Sequence, residues 1–173
     1  DAPTLMLVNH DQPEHTWLRT IARQAFTPKR VGTDVGPWLK DVIDQMLTEE
    51  GAGYIDFMDN LAADLPARFI SKLLGTPDQD YRKIRDWSDA YMGTSNLDMA
   101  GKAQSNIEMF EYYTDQVAQR YDMVKRGMAT DDLLTGFIEA KADDGRQLTP
   151  EEVVRFCITM VAGGAESSVY LLG

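Results

Sequence analysis

A mainly α-helical fold with little β structure is what this sequence predicts, on three observations. Apolar residues recur at spacings of three and four along most of the 173 residues. Prolines stand where helices open, as in Pro13, Pro66, Pro77 and Pro150, several beside a capping Asp or Thr. Glycines stand where apolar runs stop, as at Gly51 and Gly75. Internal repeats and low-complexity tracts are absent, and residues 1–173 read as part of one domain.

The elements follow in order. Asp11-Gln12-Pro13-Glu14 offers an N-cap, a first-turn proline and an acid, opening a helix through about Phe26 that Thr27-Pro28 closes. A second helix carries Trp38, Leu39, Val42, Ile43, Met46 and Leu47 on one stripe and ends at Gly51. Tyr54 to Phe57 is predicted as a short strand. Pro66 suits the first turn of a helix with Phe69, Ile70, Leu73 and Leu74, which Gly75 terminates. Thr76-Pro77-Asp78 starts another, with Tyr81, Ile84, Ser88 and Tyr91 in register. Met92 to Gly101 reads as a loop. The longest amphipathic run repeats Ala103, Ile107, Phe110, Thr114, Val117, Tyr121 and Val124. Thr130 to Ala142 predicts a helix with Leu133, Leu134, Phe137 and Ile138 inward, then a turn at Asp143-Asp144-Gly145. Thr149-Pro150-Glu151-Glu152 is a capping box that opens the last helix. That helix is apolar nearly all round, from Val153 to Ala162, and belongs inside the protein together with the Gly163-Gly164 step that follows.

Composition limits the function. The net charge of −11 argues against general binding to nucleic acid or to an anionic membrane surface. No apolar run is long enough to span a bilayer and no signal peptide is visible; the use of a single cysteine is what favours a cytoplasmic address. Cys157 is the only cysteine, which leaves no disulfide framework and no Cys-based metal site; its neighbours Phe156 and Ile158 make it a core thiol. The two histidines, His10 and His15, match no zinc motif, and no protein metal ligand is predicted. The chain opens on Asp1 and stops at Gly173 within an apolar periodic run, so it reads as a fragment, incomplete at both ends.

Three places carry candidate chemistry. Gly163 shares a helix face with Ser167, and Gly164 with Ser168. Two missing side chains make a notch with a hydroxyl one turn beyond it, where a carbonyl could be freed for a ligand; a close helix crossing with serine back-bonding is the competing reading. Glu166, an acid on a buried helix, suits proton delivery. His15 and Arg19, also four apart, form either a donor clamp for a carboxylate or phosphate, or a surface pair bridged to Asp11 or Glu14. From His15 to Thr33 the chain holds Arg19, Arg23, Lys29 and Arg30 and no acid, which is either a solvated face or a dock for an acidic partner.

Taken together, these segments resemble a bacterial-type cytochrome P-450, a haem-thiolate monooxygenase. "DQPEHTWLRTIARQAFTPKRV" resembles the family's haem-flanking helix, "LPARFISKLLGTP" its proline-started helix ending in Leu-Gly-x-Pro, and "GGAESS" its oxygen-activation motif. The frame that begins at Gly163 puts Glu166 and Ser167 at the acid and alcohol positions. The order and separation of the segments agree with family helices C to I.

The resemblance implies haem b, with His15 and Arg19 on its propionates and Gly163 and Gly164 against the macrocycle. It implies Ser167 as hydrogen-bond partner of bound oxygen, Glu166 in proton delivery, and Val161 and Ala162 at the substrate, with the loops near Leu5 to Val8 and Tyr91 to Leu97. Ser stands where the family more often has Thr. The cysteine that ligates iron lies, in the family, beyond the point where this chain stops, so Cys157 is not that ligand. The implied activity is hydroxylation of an apolar small molecule with O2, using electrons from a ferredoxin docked at Arg19, Arg23, Lys29 and Arg30. The alternatives are a peroxide-driven haem enzyme of the same fold and a non-catalytic helical ligand-binding module.

Overall fold

A computed structural model describes residues 7, 9–28, 35–49, 56–142 and 144–172, with positions 49, 59, 60, 166 and 170 described by backbone alone. Among these residues seven α-helices follow in order: α1 (Glu14–Ala25), α2 (Val35–Glu49), α3 (Asp64–Leu74), α4 (Tyr81–Met92), α5 (Met99–Lys125), α6 (Leu133–Glu139) and α7 (Pro150–Leu172). A π-helical turn at Phe57–Ala62 precedes α3, and a 3-10 turn at Asp78–Asp80 leads into α4. No strand occurs among the described residues. The expected strand at Tyr54 to Phe57 lies mostly outside them, and Phe57 itself opens the π turn. The stop at Gly51 and the first residue of the turn at Asp143 also fall outside.

The caps explain the boundaries. Thr149 N–H donates to Glu152 Oε2 at 2.7 Å and Glu152 N–H donates to Thr149 Oγ1 at 3.2 Å, the reciprocal pair that starts α7. Gly75 ends α3 at a φ of +74°, a conformation that costs other residues a Cβ clash. Asp98 caps α5 by accepting from Gly101 N–H at 2.8 Å, so the stretch expected as a loop to Gly101 is helical from Met99. Asp132 caps α6 through Thr135 N–H at 2.9 Å. The helix expected over 130–142 is therefore shorter, because the cap sits at Asp132 and Ala140 is already extended.

Helix α7 is the axis of the packing: α3, α4, α5 and α6 all lie against it. Val153, Val154, Phe156, Cys157, Ile158 and Val161 are buried there, with Phe137 and Phe156 stacked at 5.0 Å between ring centres. Helix α2 stands apart on a smaller cluster, where Val42 and Met46 meet Leu61 and Leu65. No described helix is long and apolar enough to cross a membrane.

The expected face of the long helix α5 is met at Phe110, Val117, Tyr121 and Val124, which are buried or packed against the core, and missed at Ala103, Ile107 and Thr114, which face solvent. Its buried positions are Met109, Tyr113, Val117 and Arg120. Arg120 is a buried cation. Its guanidinium bonds Asp132, Thr130 Oγ1 at 2.6 Å, Thr135 Oγ1 at 3.0 Å and the Gly75 carbonyl at 3.0 Å. A buried charge is tolerated only with such pairing, and here one side chain ties the ends of α3, α5 and α6 together. A Cβ on Gly75 would overlap the Asp132 carboxylate, so glycine is required twice over at that corner.

Candidate functional site

On α1 the inward face is Leu18, Ile21, Ala22 and Ala25. His15 is half-buried and Arg19 and Arg23 are exposed. Glu14, the carboxylate that could have bridged His15 or Arg19, instead accepts from Arg146 at 3.4 Å, and Arg146 lies flat over the Trp17 ring. His15 N–H donates to the Asp11 carbonyl at 2.9 Å, but among the described residues neither the His15 nor the Arg19 side chain has a hydrogen-bond or ion-pair partner. Nearby, His10 Nδ1 and Trp17 Nε1 are buried and equally unpartnered. The start of α1 thus carries hydrogen-bonding capacity that no described residue uses, which fits a bound anion. Lys29 and Arg30 lie outside the described residues.

On α7 the two glycines face different surroundings. The helix is solidly buried through Val161 and Ala162, at 0% and 1% exposure, and leaves the core at the glycine step. The expectation that both glycines lie deep inside is corrected: Gly163 is exposed and Gly164 half-buried. A Cβ on Gly163 would meet nothing within 4 Å, because no described residue covers that side of the helix. A Cβ on Gly164 would collide with Ile70 of α3. Val161 and Ala162, expected at the substrate, pack within the protein in this structure, and Gly163 is the first open position of the step.

The backbone stays helical through residues 163 to 168. Ser167 Oγ donates to the Gly163 carbonyl at 2.7 Å and Ser168 Oγ to the Gly164 carbonyl at 2.8 Å, both back-bonds of one turn. Glycine weakens the helix here without breaking it. The Ser167 hydroxyl, with its proton on Gly163, keeps oxygen lone pairs free to accept from a ligand on the open face. The side chain of Glu166 is not among those described.

Cys157 is fully buried, and burial pushes its thiol well above the ordinary range. The thiol packs among core side chains, with Phe156 and Ile158 buried on either side of it in the chain. No group of three or more His, Cys, Asp or Glu side chains among the described residues could hold a metal ion. Two residues at this step carried no signal in the sequence: Ile70, which reads simply as core, and Ser88 of α4, whose hydroxyl lies 3.5 Å from the Val161 carbonyl.

Among the described residues this is an all-helical scaffold, with one apolar helix, α7, that opens at a glycine and a serine, and another, α1, whose side-chain donors have no described partner. Its relatives give that scaffold a family. Cytochrome P-450 107B1 of Saccharopolyspora erythraea is 32% identical over 168 residues, covering 96% of this chain and 39% of that protein. The cytochrome P-450 monooxygenase PikC of Streptomyces venezuelae is 30% identical over 169 residues, covering 96% of this chain and 39% of that one. Among solved structures, the mixed-function P-450 MycG superposes with a TM-score of 0.81 at 26% identity, covering 98% of this chain and 42% of that one. The LnmA cytochrome P-450 hydroxylase of Streptomyces atroolivaceus gives 0.82 at 30% identity, with 95% and 41% covered. No protein-family model matches. Over nearly its whole length the chain is a stretch of the bacterial cytochrome P-450 fold, and it spans about two fifths of the length of these relatives.

Proposed function

We propose that the whole protein is a haem-dependent monooxygenase that hydroxylates an apolar small molecule with O2. The observation that carries this is the divided glycine step. Gly163 presents bare backbone on an open face, and Ser167 stands one turn further on with oxygen lone pairs to spare. Flat backbone lets a planar macrocycle approach a helix closely, where any side chain would hold it off. His15 and Arg19 would hold the propionates of haem b, since the side chains of both are donors without partners among the described residues. Bound haem supplies oxygen activation, and this chain supplies the surface, the hydroxyl and the cationic clamp.

The remaining roles rest on the family. The ligating cysteine would lie outside residues 1–173, as the family layout implies, while Cys157 is enclosed in the helical core. Glu166 would help deliver protons. The substrate would meet the Gly163 side of α7 near Val161 and Ala162, and a relative named for macrolide chemistry, the erythromycin C-12 hydroxylase of Saccharopolyspora erythraea, matches 99% of the chain at 30% identity. Electrons would come from an acidic ferredoxin at Arg19, Arg23, Lys29 and Arg30, and a cytoplasmic address follows from the same reading. The acid and alcohol at Glu166 and Ser167 favour dioxygen over a peroxide-driven reaction. A carbon monoxide difference spectrum of the whole, reduced protein tests the core of this. A thiolate-type Soret band is expected; a protein that binds no haem would instead be a helical ligand-binding module.

A further inference from the structure

We propose that Ile70 of α3 is a positioning residue for the oxygen-binding face of α7, a role that rests on the haem reading above. Gly164 is where α7 leans on α3. A Cβ placed there would overlap Ile70 Cδ1 and stand 3.0 Å from Ile70 Cγ1, so the isoleucine fills the space that a side chain at 164 would occupy. Gly163, one residue earlier, has nothing opposite it. The paired glycines therefore divide their work: one opens the face and the other sets how deeply the helix sits.

The arrangement has a rigid side. Ile70 is 4% exposed, and Leu65, Ala67, Leu73 and Leu74 around it are also buried. Both ends of α3 are tied down. Asp64 at its start bonds Arg85 and accepts from Tyr81, and Arg68 bonds Asp78 at 2.8 Å. At its end the Gly75 carbonyl accepts from the buried Arg120. A close-packed core transmits a misfit instead of absorbing it. Extra volume at the Ile70–Gly164 crossing is thus expressed as a displacement of α7. Gly163 and Ser167 move with it, joined by their own hydrogen bond.

The test uses the whole protein with three variants: Gly164→Ala, Ile70→Val, and both together. Gly164→Ala is expected to lower the thermal unfolding midpoint by about 3 °C. It should also raise the peroxide released per electron consumed by about twofold or more, because small misplacements of reacting groups are costly. In the Ile70→Val background the same alanine is expected to lose most of both effects, since the lost Cδ1 removes the closest overlap and leaves only the 3.0 Å approach to the γ carbon. If Gly164→Ala yields no folded protein, recovery of folded protein in the double variant supports the contact, and no recovery overturns it. Additive effects of the two changes overturn the proposal. So does coupling seen in the midpoint but not in the peroxide yield, which would leave Ile70 as packing alone. A whole protein without haem defeats the functional reading, while the thermal cycle still decides whether Ile70 and Gly164 interlock.

Discussion

Ser167 donates its hydroxyl proton to the carbonyl of Gly163 at 2.7 Å, across a single turn of α7. The exposed serine has no other side-chain hydrogen bond among the described residues. Ser167→Ala is therefore expected to leave stability within about 0.5 kcal/mol of the parent. In the whole protein it should divert electrons from product to peroxide. Simultaneous assay of peroxide and product checks this, and unchanged coupling would count against the role of the hydroxyl.

The Arg120–Asp132 pair supports a larger effect. Asp132 compensates a buried guanidinium and also caps α6. Asp132→Ala is expected to cost about 3–5 kcal/mol, since it strands a buried cation. Asp132→Asn keeps the cap and loses only the charge, so it should recover about 1 kcal/mol of that. Chemical denaturation of the two variants measures the difference.

Tyr113 gives a prediction of opposite sign. Its hydroxyl is fully buried without a hydrogen-bond partner, and burial first, then the neighbouring Cys157 and Tyr112, push its ionisation well above 10.0. Tyr113→Phe removes an unsatisfied polar group and should stabilise the protein by about 1 kcal/mol. The pH dependence follows from the same groups. Tyr113 and Cys157 stay protonated in the fold beyond the values at which the unfolded chain releases them, 10.0 and 9.0. Stability from this source is intact below about pH 9 and falls as pH rises past 9 to 10. Tyr113→Phe should flatten the upper part of that fall, which unfolding midpoints across alkaline pH would show.

Arg23 is exposed and unpaired among the described residues, in a protein of net charge −11. Reversing it to Glu, which leaves the proposed propionate clamp intact, is expected to weaken binding of the proposed ferredoxin at low salt, with the difference shrinking as salt screens the charges. Equal affinity before and after reversal, measured at two ionic strengths, would remove Arg23 from the docking surface.

Local chemistry was legible in the sequence, and long-range pairing was not. The Thr149–Glu152 box, the stop at Gly75 and the inward face of α6 each depend on neighbours a few residues away, and each stands where the spacing put it. On α5 the burial of Arg120 is not legible, because an arginine reads as surface until its partner Asp132 is known. The Gly163-Gly164 step was recognised as special, yet its two halves could not be told apart. Only the fold brings Ile70 against one and leaves the other bare.

The capping box acts as the zero mark of a ruler. From Pro150 to Gly163 α7 rises about 20 Å, and each residue along it turns the helix by about 100°. An insertion or deletion between them would swing the open side of the glycine round into α3 or α4, even if every original side chain were kept. Evolution can trade residues within that stretch far more freely than it can change their number.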